Sequence, residues 1–214
     1  MKSNRFMILG DSYSTFEGAI PEGYLAYYTG HRDKEPDLPS RDATWWGLLA
    51  EELGWELVRN DSWSGSTVGF TGYNRADTSA TSSFVGRLDR LIEGGFFDRE
   101  EIDTVFVFGG TNDDWSDAPL GEEKLEGHKR EDLFSVLPAI GYLFRRLREV
   151  LPCARIVGIA NSNIKLPIVT AIENATRAVG GTFVRLSGIE KLASHPTAAG
   201  MRAIKEQVAA ALRK

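Results

Sequence analysis

The chain has 214 residues, 42% of them apolar, and its 25 Lys and Arg against 30 Asp and Glu give a net charge of −5. That length suits one α/β domain with a sizeable core, and the acidic balance argues against nucleic acid or an anionic membrane as main partner. Cys153 is the only cysteine, which excludes an intrachain disulfide and a cysteine metal cluster.

Met1-Lys2-Ser3-Asn4-Arg5 runs directly into an apolar stretch, without the h-region and cleavage site of a signal peptide. No apolar run reaches membrane-spanning length, so the expectation is a cytoplasmic protein. Residues 6–9 read as a buried strand cut off by Gly10-Asp11-Ser12-Tyr13-Ser14, a turn-forming run. The polar and aromatic segment 12–42 exceeds the usual loop length, which marks a functional loop or one with short structure of its own. Residues 44–53 place Trp46, Leu49, Ala50 and Leu53 at helical spacing, so Trp45 and Trp46 are expected to pack a helix that stops at Gly54. Residues 56–58 form a short second strand leading to Asn60-Asp61-Ser62, and residues 82–92 a helix with Val85, Leu88, Leu91 and Ile92 on one face.

Residues 103–108 are a third strand, apolar on both faces as parallel strands are, broken at Gly109-Gly110-Thr111-Asn112-Asp113-Asp114-Trp115. A charged loop precedes a helical segment over 131–150, which Pro138 kinks or divides. Cys153 follows Leu151-Pro152 and is expected to be a buried structural thiol. Strands at 155–159 and 182–186 and helices at 168–179 and 196–212 complete the chain, with no repeat or linker, so one domain spans residues 1–214.

This alternation predicts a three-layer α/β/α fold around a five-stranded parallel sheet, most economically in the flavodoxin-like order 2-1-3-4-5. The turns bearing Ser12, Ser64-Gly65 and Asn112 then meet at one sheet edge, about 4.8 Å apart from strand to strand, at the point where pockets form. A serine hydroxyl there is a weak nucleophile until a base takes its proton. His31, among Arg32, Asp33, Lys34 and Glu35, and His128, among Glu126, Lys129 and Arg130, read as solvated. His195 precedes Pro196 at a helix entrance, a defined backbone position, and is the preferred base.

With these residues assembled, the chain resembles the SGNH (GDSL-type) hydrolase superfamily of esterases, lipases and acylhydrolases. Gly10-Asp11-Ser12-Tyr13-Ser14 is similar to its first motif block, whose serine is the nucleophile. Asn60-Asp61-Ser62-Trp63-Ser64-Gly65 is similar to the second, whose glycine donates a backbone N–H to the oxyanion. Gly110-Thr111-Asn112-Asp113 is similar to the third, whose asparagine donates its side-chain amide, and His195-Pro196 to the end of the block carrying the base. The resemblance implies catalysis by Ser12 and His195, with an oxyanion hole from Ser12, Gly65 and Asn112. It departs at Leu192, where the family usually has an aspartate three residues before the histidine. A backbone carbonyl or one of Glu190, Asp113 and Asp114 is left to orient the ring, and a Ser12–His195 dyad is the favoured reading.

The expected reaction is hydrolysis of a carboxylic ester through a Ser12 acyl-enzyme. Alternatives are a non-catalytic ligand-binding module on the same fold, since fold does not fix function, or an acyltransferase. The substrate is read as a small-molecule ester, a small acyl group such as acetyl on a sugar or other polar alcohol. Tyr13, Trp63 and Trp115 are the candidate contacts. No phosphate loop, dinucleotide or zinc motif occurs, so no cofactor or metal is expected. The acidic run Asp113, Asp114, Asp117, Glu122 and Glu123 reads as a solvated loop, and Ser162-Asn163-Ile164-Lys165 as a chance match to a Ser–Lys motif.

Overall fold

The computed structural model describes residues 3–31 and 36–213. Five parallel strands, β1 (Arg5–Gly10), β2 (Glu56–Ser62), β3 (Thr104–Gly109), β4 (Arg155–Ala160) and β5 (Thr182–Arg185), form one sheet in the order β2-β1-β3-β4-β5. The helices are α1 (Trp45–Leu53), α2 (Phe84–Glu93), α3 (Phe96–Arg99), α4 (Thr111–Trp115), α5 (Val136–Val150), α6 (Leu166–Ala178) and α7 (Ala198–Leu212). Alternate strand residues supply two cores. Phe6, Ile8, Phe106, Phe108 and Ile159 meet Trp45, Leu49, Met201 and Ile204 of α1 and α7. Met7, Leu9, Val105, Val107 and Ile156 meet Phe84, Leu88, Leu143, Phe144 and Ile172 of α2, α5 and α6. Both faces are covered, as a parallel sheet requires.

Several elements depart from the sequence reading for identifiable reasons. Strand β2 continues past Val58 through the polar run Arg59-Asn60-Asp61-Ser62, because those side chains find internal partners. Asn60 Nδ2 donates to the Ser14 carbonyl at 2.8 Å, Ser62 Oγ to Asn60 Oδ1 at 2.6 Å, and Asp61 pairs with Arg87 at 2.8 Å. The segment expected to be one helix over 131–150 is a 3-10 turn, Arg130–Phe134, followed by α5. Pro138 lies in the first turn of α5, where a missing N–H costs no helical bond. Cys153 is exposed, not buried, because it sits in the turn before β4.

The last helix starts at Ala198, with the Thr197 hydroxyl accepting the Gly200 N–H at 3.2 Å, so His195 lies before the helix and not at its entrance. It belongs to a small antiparallel hairpin, β6 (Lys191–Leu192) with β7 (His195–Pro196). The two turn residues, Ala193 (φ 46°) and Ser194 (φ 67°), are both left-handed, as a two-residue hairpin turn of this hand demands. Among the described residues no helix is long and apolar enough to cross a membrane.

Candidate active site

The ends of β1, β2 and β3 bring three turns to one edge of the sheet. Gly10 pairs with Ser62 on one side and Phe108 on the other, and a Cβ at Gly10 would fall 2.6 Å from Ser62 Oγ, so only glycine fits. Ser12 opens the 3-10 turn Ser12–Ser14, and Asp11 Oδ1 caps it by accepting the Tyr13 N–H at 3.0 Å. The turn is fixed from below. Ser14 Oγ accepts the Trp45 indole N–H at 3.1 Å, and the Ser14 carbonyl accepts that of Trp46 at 2.9 Å. Trp45 and Trp46 thus pack their helix as expected and also hold the serine turn.

His195 Nε2 lies 3.0 Å from Ser12 Oγ, and Nδ1 lies 3.1 Å from the Ala193 carbonyl oxygen. A carbonyl only accepts, so Nδ1 carries the proton and Nε2 presents its lone pair to the serine hydroxyl. The ring is enclosed by aromatics. Tyr27 stacks on it at 3.4 Å and 5°, Trp115 meets it edge-on at 6.0 Å, and Tyr13 lies 5.4 Å away.

Hydrogen bonds from Tyr13, Tyr28, Thr197 and Lys191 hold the hairpin that bears His195. The Tyr13 hydroxyl donates to the Ser194 carbonyl and that of Tyr28 to the Pro196 carbonyl at 2.7 Å. The Thr197 N–H donates to the Glu190 carbonyl at 3.1 Å. Lys191 Nζ donates to Asn161 Oδ1 at 3.0 Å and Ser162 Oγ at 3.1 Å. Tyr13 therefore departs from its expected role as a substrate contact: its side chain is buried and its hydroxyl is committed to the hairpin.

The acidic alternatives are engaged by other partners. Glu190 engages the Thr197 hydroxyl, and Asp114 pairs with Lys165 at 3.3 Å. Asp113 accepts the Val68 N–H at 2.9 Å and the Gly69 N–H at 3.4 Å. Leu192, at the position of the missing aspartate, pairs with His195 through the backbone and is 46% exposed. Burial pushes the Asp113 carboxyl up to about 6 and that of Asp11 up to about 7, against the opposing pull of the N–H groups they accept.

Gly65 has φ 81°, which favours glycine, and among the described residues its N–H has no acceptor. Asn112, on α4, is buried, with Nδ2 donating to the Ser66 carbonyl at 3.0 Å and Oδ1 accepting the Tyr73 hydroxyl at 2.8 Å. Beneath these turns lies Arg87 of α2. It donates to the Gly10 carbonyl at 3.0 Å, to Ser66 Oγ at 3.3 Å, to the Ser82 carbonyl at 2.8 Å, and to both the carbonyl and the carboxylate of Asp61.

Other candidates fall elsewhere. His31 is exposed, and Arg32, Asp33, Lys34 and Glu35 beside it lie outside the described residues. His128, expected to be solvated, is half-buried against Tyr142, with Nε2 2.8 Å from the Lys124 carbonyl. Trp63 lies against Tyr24 with ring centroids 4.3 Å apart and planes tilted by 34°, and Trp115 is exposed at 41%. Lys165 pairs with Asp114 and Asp117 rather than with Ser162. Among the described residues no three His, Cys, Asp or Glu are grouped to hold a metal ion.

Tyr73, Arg87 and Lys191 lie outside the residues that the sequence points to, whereas Tyr27 is one of the loop aromatics and meets His195 rather than open solvent. Of the first three only Arg87 left a signal, a charged residue between Phe84 and Leu88 on the buried side of its helix, which calls for an internal partner.

Solved structures similar to this chain include two proteins assigned as GDSL-like lipases. One, from Bacteroides ovatus ATCC 8483, superposes with a TM-score of 0.91 and 34% identity, covering 100% of this chain and 99% of that one. The other, from Bacteroides uniformis ATCC 8492, gives 0.90 and 38%, covering 100% and 97%. An aryl esterase of M. smegmatis, at 14% identity, TM-score 0.61 and 99% coverage of both chains, is alike in fold alone. No curated protein matches the sequence. The family model for GDSL-like lipase/acylhydrolase matches residues 4–212, and the chain belongs to that family.

Proposed function

We propose that this hydrolase is a serine esterase in which Ser12 is the nucleophile and His195 the base. The observation that carries the reading is the 3.0 Å approach of Nε2 to Ser12 Oγ, with Nδ1 held by the Ala193 carbonyl. His195 takes the hydroxyl proton as Oγ attacks the ester carbonyl carbon, and the carbonyl electron pair moves onto oxygen. The N–H groups of Ser12 and Gly65 and one Nδ2–H of Asn112 receive that oxyanion. Its collapse expels the alcohol, which leaves with the proton held on Nε2. Water then attacks the acyl-enzyme with His195 again as base, releasing the carboxylic acid and restoring Ser12.

An imidazolium forms midway on His195, with its Nδ1–H on the Ala193 carbonyl. Its stabilisation comes from the Ala193 carbonyl and from the Tyr27 ring, whose negative face lies against the imidazole. Asn112→Ala removes one oxyanion donor and is expected to cut turnover by about 10²–10³.

The substrate we propose is a small acyl group on a polar alcohol, such as an acetylated sugar, contacted by Trp63 and Trp115. Two aromatic surfaces flanking the donor turns, with no long apolar run in the loops, support that choice. Turnover of p-nitrophenyl esters of rising chain length, alongside acetylated xylo-oligosaccharides, tests it. Acetate is expected to be the best acyl group, and kcat/KM that climbs with chain length would refute the small-acyl reading.

A further inference from the structure

The oxyanion role of Asn112 depends on which edge of its amide faces the site, and the neighbours decide this without ambiguity. The Ser66 carbonyl can only accept, and it lies 3.0 Å from Nδ2, so the nitrogen edge is turned to Ser66. Oδ1 is then the atom 2.8 Å from the Tyr73 hydroxyl, which must donate. One Nδ2 proton is used on Ser66, and the second remains for the oxyanion.

We propose that Tyr73 is a positioning residue of the oxyanion hole, its phenol O–H holding Asn112 Oδ1 so that the free Nδ2–H stays aimed at the reacting oxygen. The inference rests on the hydrolase reading above and adds a residue that neither the motif blocks nor the serine–histidine geometry includes. Two hydrogen bonds at opposite ends of a planar amide fix its rotation about Cβ–Cγ. A donor on the carbonyl end also polarises the N–H bonds at the other, in the cooperative manner of hydrogen-bonded chains.

The surrounding backbone is built to hold Tyr73 there. Asn74 (φ 55°) and Arg75 (φ 60°) are consecutive non-glycine residues in the left-handed region, an arrangement that persists only where its surroundings enforce it. Thr71 and Asp77 bridge across the base of the turn, and the Gly72 N–H donates to the Ala76 carbonyl at 2.8 Å. The Thr71 hydroxyl ties the base to the Phe134 carbonyl at 2.7 Å. Tyr73 is 40% exposed, so burial of its ring does not explain this effort. Its polar end points inward. Desolvation, followed by the nearby carboxylates of Asp11 and Asp113, raises its pKa above the ordinary phenol value, so it keeps the proton it donates.

The test is a cycle of Tyr73→Phe, Asn112→Ala and the double variant, each assayed for kcat and KM with thermal melts alongside. Tyr73→Phe is expected to lower kcat about three- to tenfold, the size of one ordinary hydrogen bond, with KM unchanged and the melting temperature lowered by only a few degrees. In the Asn112→Ala background the same change is expected to do nothing further. An equal loss in both backgrounds, an effect on KM alone, or no loss of kcat would overturn the proposal. Side-chain amide NMR of Asn112 reads its orientation without turnover. Slowed proton exchange is expected in the wild type and its loss in Tyr73→Phe, and an unchanged signal would again overturn the proposal. Wild-type turnover no better than Ser12→Ala would instead refute the hydrolase reading, leaving the NMR comparison to decide on Tyr73.

Discussion

Replacing Arg87 by Met separates the scaffold of the site from its chemistry. The guanidinium and the Asp61 carboxylate are both fully buried and 2.8 Å apart, and the same guanidinium serves the Gly10 and Ser82 carbonyls and Ser66 Oγ. Methionine fills much of the volume and removes every donor. Breaking a buried pair from one side typically costs about 3–5 kcal/mol, because the surviving charge is left uncompensated. Arg59 stays 2.7 Å from the other Asp61 oxygen and is partly solvated, which draws the value toward the lower end of that range. At about 2–4 °C per kcal/mol for a chain of this size, the melting temperature should fall by roughly 6–20 °C. Urea unfolding followed by circular dichroism measures the loss. Arg87→Met/Asp61→Asn is expected to recover part of it, since the stranded charge is gone. A loss below about 1 kcal/mol for Arg87→Met would refute the argument that this pair braces the ends of β1 and β2.

Two further predictions concern groups around Ser12 and His195. Tyr27→Leu removes the ring stacked at 3.4 Å on His195. Aromatic pairs are worth about 0.5–1.5 kcal/mol, so kcat should fall roughly two- to twelvefold; an unchanged kcat would contradict a role for the ring face. Burial raises the Asp11 carboxyl from 3.8 to about 7, and one of its oxygens has no hydrogen-bond partner among the described residues, so folding favours its neutral form. The stability tied to that form is full below about pH 4 and is lost as pH rises through about 7, with Asp113 acting in the same sense near 6. Asp11→Asn keeps an oxygen for the Tyr13 N–H and removes the charge. Its stability relative to wild type should grow with pH, by at most about 4 kcal/mol at pH 8, and a difference that does not vary between about pH 5 and 8 in urea titrations would contradict the assignment.

The sheet order was legible because apolar runs such as Phe6-Met7-Ile8-Leu9 and Val105-Phe106-Val107-Phe108 alternate with helices that carry one apolar face. The polar half of β2 was not, because strands are recognised by apolarity and Asn60, Asp61 and Ser62 are buried by pairing instead. The convergence of the turns bearing Ser12, Gly65 and Asn112 was legible because Gly, Ser and Asn mark the breaks after β1, β2 and β3. The supports of the site were hidden because they act across long separations. Tyr27 meets His195 over 168 positions, and Tyr73 meets Asn112 over 39. The hairpin before α7 was invisible for a different reason. Its turn is Ala193-Ser194, without the glycine or asparagine that usually marks a left-handed pair; Tyr13 and Tyr28 hold it from outside, and its own Lys191 reaches out to Asn161.

The central claim is that Ser12 is made nucleophilic by His195. Incubation with a fluorophosphonate, followed by peptide mass spectrometry, tests it most directly. The adduct is expected on Ser12 in the wild type, absent in Ser12→Ala, and formed at least about a hundredfold more slowly in His195→Ala, the scale of general-base catalysis. Labelling of Ser12 at the same rate with and without His195, or no labelling of Ser12 in the wild type, would contradict the account.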